Sequence, residues 1–541
     1  MTEKEPFLQN LLKNHKYELM AVLLFILGWA LRFNIDGLFS YPGNIKAADP
    51  MFHTNVAQSI VDSESYGQFL PYMVEGHKDI VNMYPPIDYL ATAGLVKLSG
   101  AQAWNVMYLL ITLFDAFGIL LLFILCSRIF QSKKIGLLAA ALYVMPMPLA
   151  NWWYNMSIGI WNNVGGLFFF FAALWLAYEY FIEPKRWKAL CLGIIIAATW
   201  LVHIAELYIV AFFVAAVGVK ILLKVKPLKE KLVHLALVSI IPLVNIVLFW
   251  PKYKVWSSFA KFGFSWNLAE LPKLSFFTTV WDFKIWILLL FLLGAVLLAL
   301  NFRKYKLLAV SEAYLLTYLM VLPLFLSSYY FFVRQRIALP FVIAPVVALG
   351  IYFIISTLGK KIKINSGYLL LAVVLLLLIV PIGQYISLRK DFSYQHLTPE
   401  KYSALVWIQD NTPKDAEFLF LTGYYQTSSQ YSKRVGFVLD APKLGGVVEE
   451  FGKTGELPLM NLEDHGDTVQ AMAYEKSFFN YGLYEERDSA PMNYSEFDYV
   501  VLNDFAPQIK PFNDAVIGYL ENKSYAEVYK KNSIVILKRP E

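Results

Sequence analysis

The sequence predicts a polytopic α-helical membrane protein with about 11 transmembrane helices, followed by a C-terminal exoplasmic α/β domain. Three observations lead there. Apolar runs long enough to span a bilayer recur along the first 388 positions. Lys and Arg alternate between the segments that join those runs. Beyond position 389 the pattern changes to short β-rich stretches between turn signals. The composition agrees: 58% of the 541 residues are hydrophobic and only 16% charged, with a mean hydropathy of +0.50. A chain with so few charges cannot cover a water-exposed surface and takes lipid as its solvent over much of its length.

The runs fall at 17–33, 104–127, 135–149, 164–182, 187–203, 205–223, 232–250, 285–300, 307–326, 337–357 and 368–388. Helices are expected there because backbone groups in lipid must be satisfied within their own segment. The polar start "MTEKEPFLQNLLKNHK" and the lack of a small-residue cleavage site after the first run predict a retained first helix. With the N-terminus in the cytoplasm, the inner segments carry 20 Lys and Arg. The outer loops are more than twice as long and carry far fewer, which is the positive-inside distribution. It also accounts for the net charge of +6 without a nucleic-acid partner. Cys126 and Cys191 both lie in apolar runs, so neither a disulfide framework nor a thiolate metal site is expected.

This topology places four elements outside: 34–103, 151–163, the loop 251–284 and 327–336. Within the first, "PPIDYLATAGLVKLSG" reads as an amphipathic helix lying on the membrane surface. The domains expected are therefore 1–388, embedded in the cell membrane, and 389–541, exoplasmic. In the tail, Thr398 reads as an N-cap, with Ala404, Leu405 and Ile408 on one helical face. The runs "AEFLFLTGYY", "RVGFVLD", "FDYVVLND" and "SIVILKRP" read as strands.

The candidate chemistry lies in the outer elements. Asp49 and His53 are four apart and share a helical face, and Pro50 suits a first turn, which makes Asp49 a natural N-cap. A carboxylate there can also ligate a hard cation or take a proton from an acceptor. Glu270 sits in an aromatic loop between Trp266 and Trp281. Arg334 and Arg336 stand at a helix mouth, where they can snorkel to lipid phosphate or grip a phosphate ligand bidentately. His203 and Glu206 can pair with each other. Asp115 is the one carboxylate near a bilayer midplane. With no second embedded charge in view, hydrogen bonding to neighbouring helices is expected of it.

Taken in order, these pieces resemble the GT-C superfamily of polyprenyl-lipid-dependent glycosyltransferases. "ADPMFHTNVAQSIV" with "YPPIDYLATAGLVKLSG" is most similar to the first outer loop of the oligosaccharyltransferase catalytic-subunit family. "SIGIWNNVGG" resembles its second acidic motif, "NLAE" its Thr-Ile-x-Glu loop motif, and "VRQRIALPFVIAP" the region whose arginine meets the donor phosphate. "LVWIQDNTPKDAEFLFLTGYY" resembles the start of its C-terminal domain. The chain departs in two places: Asn162 stands where the family has an acid, and "LFLTG" stands where it has Trp-Trp-Asp-Tyr-Gly. Eleven spans with a large loop after the seventh also resemble the protein O-mannosyltransferase and aminoarabinose-transferase relatives.

The resemblance implies inverting transfer of a sugar or oligosaccharide from a polyprenyl-phosphate or polyprenyl-diphosphate donor to a protein or glycan acceptor. Asp49 and Glu270 would be catalytic, and Arg336 or Arg334 would hold the phosphate. Mg²⁺ or Mn²⁺ would be ligated by Asp49 and Glu270, with Asn162 and His53 as further ligands. Single-sugar transfer to a protein hydroxyl, lipid or glycan is the alternative within enzymes. A lipid or glycan transporter, or an inactive membrane scaffold that kept the fold, is the alternative outside them.

Overall fold

The computed structural model describes residues 14–33, 48–66, 85–145, 161–202, 214–215, 217–223, 225–263, 285–300, 339–391, 398–423, 432–459, 472–477, 480–484, 493–503 and 509–541. The membrane part is built from α1 (Lys16–Arg32), α2 (Ala48–Ser63), α3 (Ile87–Ser99), α4 (Ala103–Ile129) and α5 (Lys133–Val144). It continues with α6 (Trp161–Ile182), α7 (Arg186–Val202), α8 (Leu228–Gly263), α9 (Ile285–Leu300), α10 (Leu339–Lys361) and α11 (Ser366–Asp391). Among the described residues, four stretches are long and apolar enough to cross a membrane: Ala103–Ile129, Trp161–Ile182, Leu228–Trp250 and Ile343–Lys361. Helices also lie on the other apolar runs, save that 135–149 is helical to Val144 and described only to Met145, 205–223 is described only in part and 307–326 lies outside the described residues. This is a membrane protein, with lipid-type side chains on the outside of its helices: Leu243, Val247, Leu289 and Leu376 are all more than half exposed.

Close helix crossings depend on glycine. A Cβ on Gly294 in α9 would overlap the Val346 carbonyl of α10, and one on Gly350 would sit 2.5 Å from the Leu290 carbonyl. Small residues of this kind let backbones approach where dispersion rather than water drives association. At one end of the bundle, segments expected on the same side of the membrane meet. Glu18 pairs with Lys133, Arg186 with Glu230 at 2.6 Å, and Lys134 donates to Ser366 at 3.2 Å.

At the opposite end α3 runs against α2 and α4. It stops at Gly100, whose φ of 69° is the left-handed C-cap glycine supplies at no steric cost. Leu98, Leu90 and Leu95 face outward, while Asp88, Tyr89 and Thr92 are buried. The helix therefore turns its polar side inward. α8 differs from expectation in length: its backbone remains helical to Gly263, thirteen residues past Trp250, so part of the 251–284 loop is helix.

The C-terminal domain comprises α12 (Pro399–Asn411), β1 (Glu417–Gly423), β2 (Val435–Asp440), α13 (Ala441–Thr454), β3 (Met472–Ser477) and β4 (Asn480–Tyr484). β5 (Tyr499–Asn503), α14 (Lys510–Asn522), β6 (Ala526–Lys531) and β7 (Ile534–Lys538) complete it. Five strands form a mixed sheet in the order β2-β1-β5-β7-β6, parallel across β2-β1-β5 and antiparallel from β5 onward; β3 and β4 pair separately. Alternate side chains bury on opposite faces. Phe418, Phe420, Tyr499 and Val501 join a core with Ala404, Leu405 and Ile408 of α12. Leu419, Leu421, Val500 and Leu502 meet Leu444 and Phe451 of α13 and Phe512 and Val516 of α14. Burial on both faces is why these strands read as unbroken apolar runs. Thr398 caps α12 by accepting from the Lys401 N–H at 3.3 Å. Arg434 closes the other end of that helix, donating to the carbonyls of Gln409 and Thr412. The domain meets the membrane part through Lys433–Asp62 at 3.0 Å and through the Tyr402 ring edge-on to Trp104.

Candidate functional site

The polar interior at the α2/α3 end collects side chains from three helices. His53 comes from α2, Asp88 and Tyr89 from α3, and Asn162 from the first turn of α6; their sequence neighbours Thr54, Asn55, Thr92 and Asn163 are buried as well. All are buried, Asp88 and Asn162 to 1% exposure. Polar groups this dry must be hydrogen-bonded or hold a ligand.

Tyr89 is the hub. Its hydroxyl lies 2.7 Å from His53 Nδ1 and accepts from Asn162 Nδ2 at 2.8 Å. The Tyr89–His53 bond takes its direction from the imidazole tautomer: the hydroxyl donates to a bare Nδ1, or Nδ1–H donates to the hydroxyl and leaves Nε2 as the free acceptor. Spending its amide N–H on Tyr89 leaves Asn162 Oδ1 turned elsewhere, and that oxygen has no hydrogen-bond partner among the described residues. Trp161, fully buried, packs against Tyr108 of α4 with ring centroids 5.7 Å apart and fixes the start of α6. Asp88 rests on the backbone of Gly165: a Cβ there would sit 3.0 Å from Oδ2 and 3.3 Å from Oδ1. The carboxylate thus takes the space that only glycine leaves.

Of the residues singled out by sequence, His53 and Asn162 are brought together through Tyr89. Asp49 lies in the first turn of α2, one turn ahead of His53. The helix begins at Ala48, so Asp49 is its second residue rather than the expected N-cap. Its side chain, and Glu270, Arg334, Arg336, His203 and Glu206, lie outside the described residues. Among the described residues no group of three or more His, Cys, Asp or Glu side chains forms a metal centre. Asp88 and Tyr89 were not picked out from sequence. The usable signal was Asp88 and Thr92 four apart on one face of a helix whose other charged residue, Lys97, lies in its last turn.

Asp115 requires a correction. A second embedded charge does accompany it: Arg32 Nε donates directly to Asp115 Oδ2. Arg32 also donates to the carbonyls of Gly28 (3.0 Å) and Tyr143 (3.1 Å), and the Tyr143 hydroxyl donates to Asp115 Oδ1 at 2.9 Å. The guanidinium carbon sits 5.4 Å from the Tyr143 ring centroid. Arg32 closes the first apolar run, and its partner is 83 positions away, beyond the reach of any local pattern.

No protein-family model matches the chain, and no curated protein matches it by sequence. Solved structures do. The *Archaeoglobus fulgidus* oligosaccharyltransferase AglB, solved with an inhibitory peptide and a dolichol-phosphate, superposes with a TM-score of 0.55 at 13% identity, covering 98% of this chain and 89% of that one. The apo crystal structure of the *A. fulgidus* oligosaccharyltransferase gives 0.52 at 14% identity over 80% of this chain, which spans only 65% of that enzyme. Apo ArnT from *Cupriavidus metallidurans* gives 0.50 at 12% identity over 96% of this chain and 97% of ArnT. The molecule is thus a helical membrane protein with a small mixed-sheet domain at its C-terminus. Its fold is GT-C-like, similar to those of AglB and ArnT.

Proposed function

We propose that this chain is an inverting glycosyltransferase. It moves a sugar or oligosaccharide from a polyprenyl-phosphate or polyprenyl-diphosphate donor to an acceptor on the exoplasmic face of the cell membrane. The observation that carries this reading is the dry polar cluster of His53, Tyr89, Asp88 and Asn162 at one end of a GT-C fold. The A. fulgidus enzyme supports the donor and acceptor classes, since it has been solved with a dolichol-phosphate and with a tethered acceptor peptide.

The donor's greasy tail stays in lipid while its anomeric carbon is presented at the membrane surface. The acceptor attacks that carbon opposite the phosphate, and the bond to the phosphate oxygen breaks with its electron pair leaving on phosphate. The acceptor's proton passes to the Asp49 carboxylate. Arg336, with Arg334 as the alternative, stabilises the departing phosphate. Glu270 positions the acceptor, which lies under the 251–284 segment and the domain 389–541. Oxygen donors suit a hard cation here, because Asn162 Oδ1 is buried and without a hydrogen-bond partner among the described residues. In the alternative role of these two carboxylates, Asp49 and Glu270 together with Asn162 would hold Mg²⁺ or Mn²⁺, and His53 would join through Nε2 in the tautomer whose Nδ1–H donates to Tyr89. Such an ion would supply fixed positive charge against the negative charge that develops on the leaving phosphate. A structure of the A. fulgidus enzyme with Zn and sulfate supports a metal.

A second reading, transfer of a single sugar to a protein hydroxyl, lipid or glycan, is favoured by two observations. The chain matches ArnT over 97% of that chain, against 89% of AglB and 65% of the apo oligosaccharyltransferase. It also has Asn162 and "LFLTG" where the oligosaccharyltransferase pattern has an acid and an aromatic signature.

Purified protein in lipid, offered a mixture of polyprenyl-phosphate and polyprenyl-diphosphate sugars with and without Mn²⁺, tests this by mass spectrometry of donor consumption. The expected result is consumption by wild type that falls by at least about 10²-fold in Asp49→Asn. The donor consumed separates the two transferase readings. A wild type that binds these lipids and consumes none overturns both.

A further inference from the structure

The α6 N-terminus lacks a carboxylate at Asn162, yet a buried carboxylate lies against the same helix one turn on. We infer that Asp88 supplies the second acidic group of the site, as an oxygen ligand for the hard divalent cation (Mg²⁺ or Mn²⁺) that Asn162 alone would hold poorly. This rests on the transferase reading for its purpose, though not for its geometry.

Three observations converge. Asn162 and Gly165 are three apart in α6 and so share a face, one helical turn from each other. Asp88 lies on Gly165, its two oxygens 3.0 and 3.3 Å from where a Cβ would stand. Tyr89, the next residue of α3, reaches the other way along α6 and takes the Asn162 amide N–H at 2.8 Å. Two consecutive residues of α3 therefore bracket one turn of α6. They fix Asn162 so that its amide is engaged and its oxygen is left over.

That oxygen is the second, independent pointer to a ligand. Asn162 is 1% exposed, and its Oδ1 has no hydrogen-bond partner among the described residues. A carbonyl-type oxygen on one turn of a helix and a carboxylate packed against that same turn are hard donors of the kind that Mg²⁺, Mn²⁺ or Ca²⁺ takes. The first turn of α6 adds its own field, which favours negative charge at that position. His53 fits around this set as a supporting group, because its Nδ1 is held by Tyr89. The acid that the α6 motif lacks thus returns on the neighbouring helix, on the side of α6 that a glycine leaves open.

Direct Mn²⁺ binding to the full-length protein in lipid nanodiscs, read by electron paramagnetic resonance of the free ion, tests the assignment without any turnover. Wild type is expected to bind Mn²⁺, and Asp88→Asn to bind it on the order of 10–100-fold more weakly. The exchange variant Asp88→Asn/Asn162→Asp, which moves the carboxylate from α3 to α6, is expected to recover most of that loss. Asn162→Asp alone, which leaves Asp88 in place, is expected to tighten binding and serves if Asp88→Asn fails to fold. The assignment is overturned if wild type binds no Mn²⁺, if Asp88→Asn binds it like wild type, or if the exchange variant recovers nothing. Donor consumption measured on the same samples decides the transferase reading separately. A wild type that holds Mn²⁺ through Asp88 and consumes no donor keeps the ligand and loses the reaction. One that turns over donor while Asp88→Asn keeps its Mn²⁺ affinity does the reverse.

Discussion

Two buried polar clusters lie within the same bundle and are built to opposite rules. Around Arg32, Nε serves Asp115, the two terminal nitrogens serve the carbonyls of Gly28 and Tyr143, and both Asp115 oxygens accept, one from Arg32 and one from Tyr143. Each ion has its counter-ion and each described donor its acceptor. Around Tyr89, the hydrogen bonds join His53 and Asn162, yet Asn162 Oδ1 and Thr92 Oγ1 are left over among the described residues. A closed network in low dielectric rigidifies, whereas an incompletely used one marks a place for a ligand. The first is a staple between α1, α4 and α5; the second is the candidate site. The same contrast weakens the transporter alternative, which needs embedded charges free to exchange partners.

Breaking the staple gives the largest effect. Arg32→Met or Asp115→Asn each leaves the other group buried without its counter-charge, and each is expected to cost about 3–5 kcal/mol. The double variant Arg32→Met/Asp115→Leu removes both charges and should recover much of that loss. Thermal unfolding in detergent, compared across the three, checks it. A double variant as unstable as the worse single one would mean that the ions do more than hold helices together. If the staple is structural, donor consumption per folded molecule stays at the wild-type level in every variant that folds.

Gly165→Ala strikes the other cluster. Its Cβ would lie 3.0 Å from both Asp88 Oδ2 and Val202 Cγ1, so one of them must yield. The packing cost is expected to be about 1–3 kcal/mol. Mn²⁺ affinity and donor consumption should fall together, by more than the loss of folded protein explains, because the methyl displaces the carboxylate itself. Equal losses in folded fraction and activity would place Gly165 among packing glycines such as Gly294.

How much of this was legible follows the range of the interactions involved. The apolar runs and the Thr398 cap depend on neighbours within a turn or two, and helices cover the described runs. "FLFLTG" and "YVVLN" read as strands because both faces of the sheet are covered. β6, "AEVYKK", escaped notice because it is a mostly exposed edge strand without an apolar alternation. Pairings between distant segments were not legible at all. Arg32 looks like a rim arginine until α4 is laid beside α1, and Asp88 looks like an exposed polar residue in a surface helix until α6 covers it. His53 and Asn162 were both noticed, but what makes them one site is a tyrosine hydroxyl on a third helix.

The smallest effect concerns a pair that is neither dry nor closed. Lys433, just ahead of β2, meets Asp62 near the end of α2 at 3.0 Å, with side chains 33% and 20% exposed. Water and salt reach both groups, so Lys433→Ala is expected to cost about 0–1 kcal/mol, with the difference shrinking as ionic strength rises. Thermal unfolding at low and high salt reads it. The pair nonetheless ties the C-terminal domain to the helix that carries Asp49 and His53. If the domain serves only to cover the acceptor, Lys433→Ala raises the acceptor KM and leaves Mn²⁺ affinity unchanged. A fall in Mn²⁺ affinity instead would mean that the water-exposed contact at one end of α2 sets the geometry of the incompletely used cluster around Tyr89 at the other, so that the domain above is part of what holds that cluster ready for a ligand.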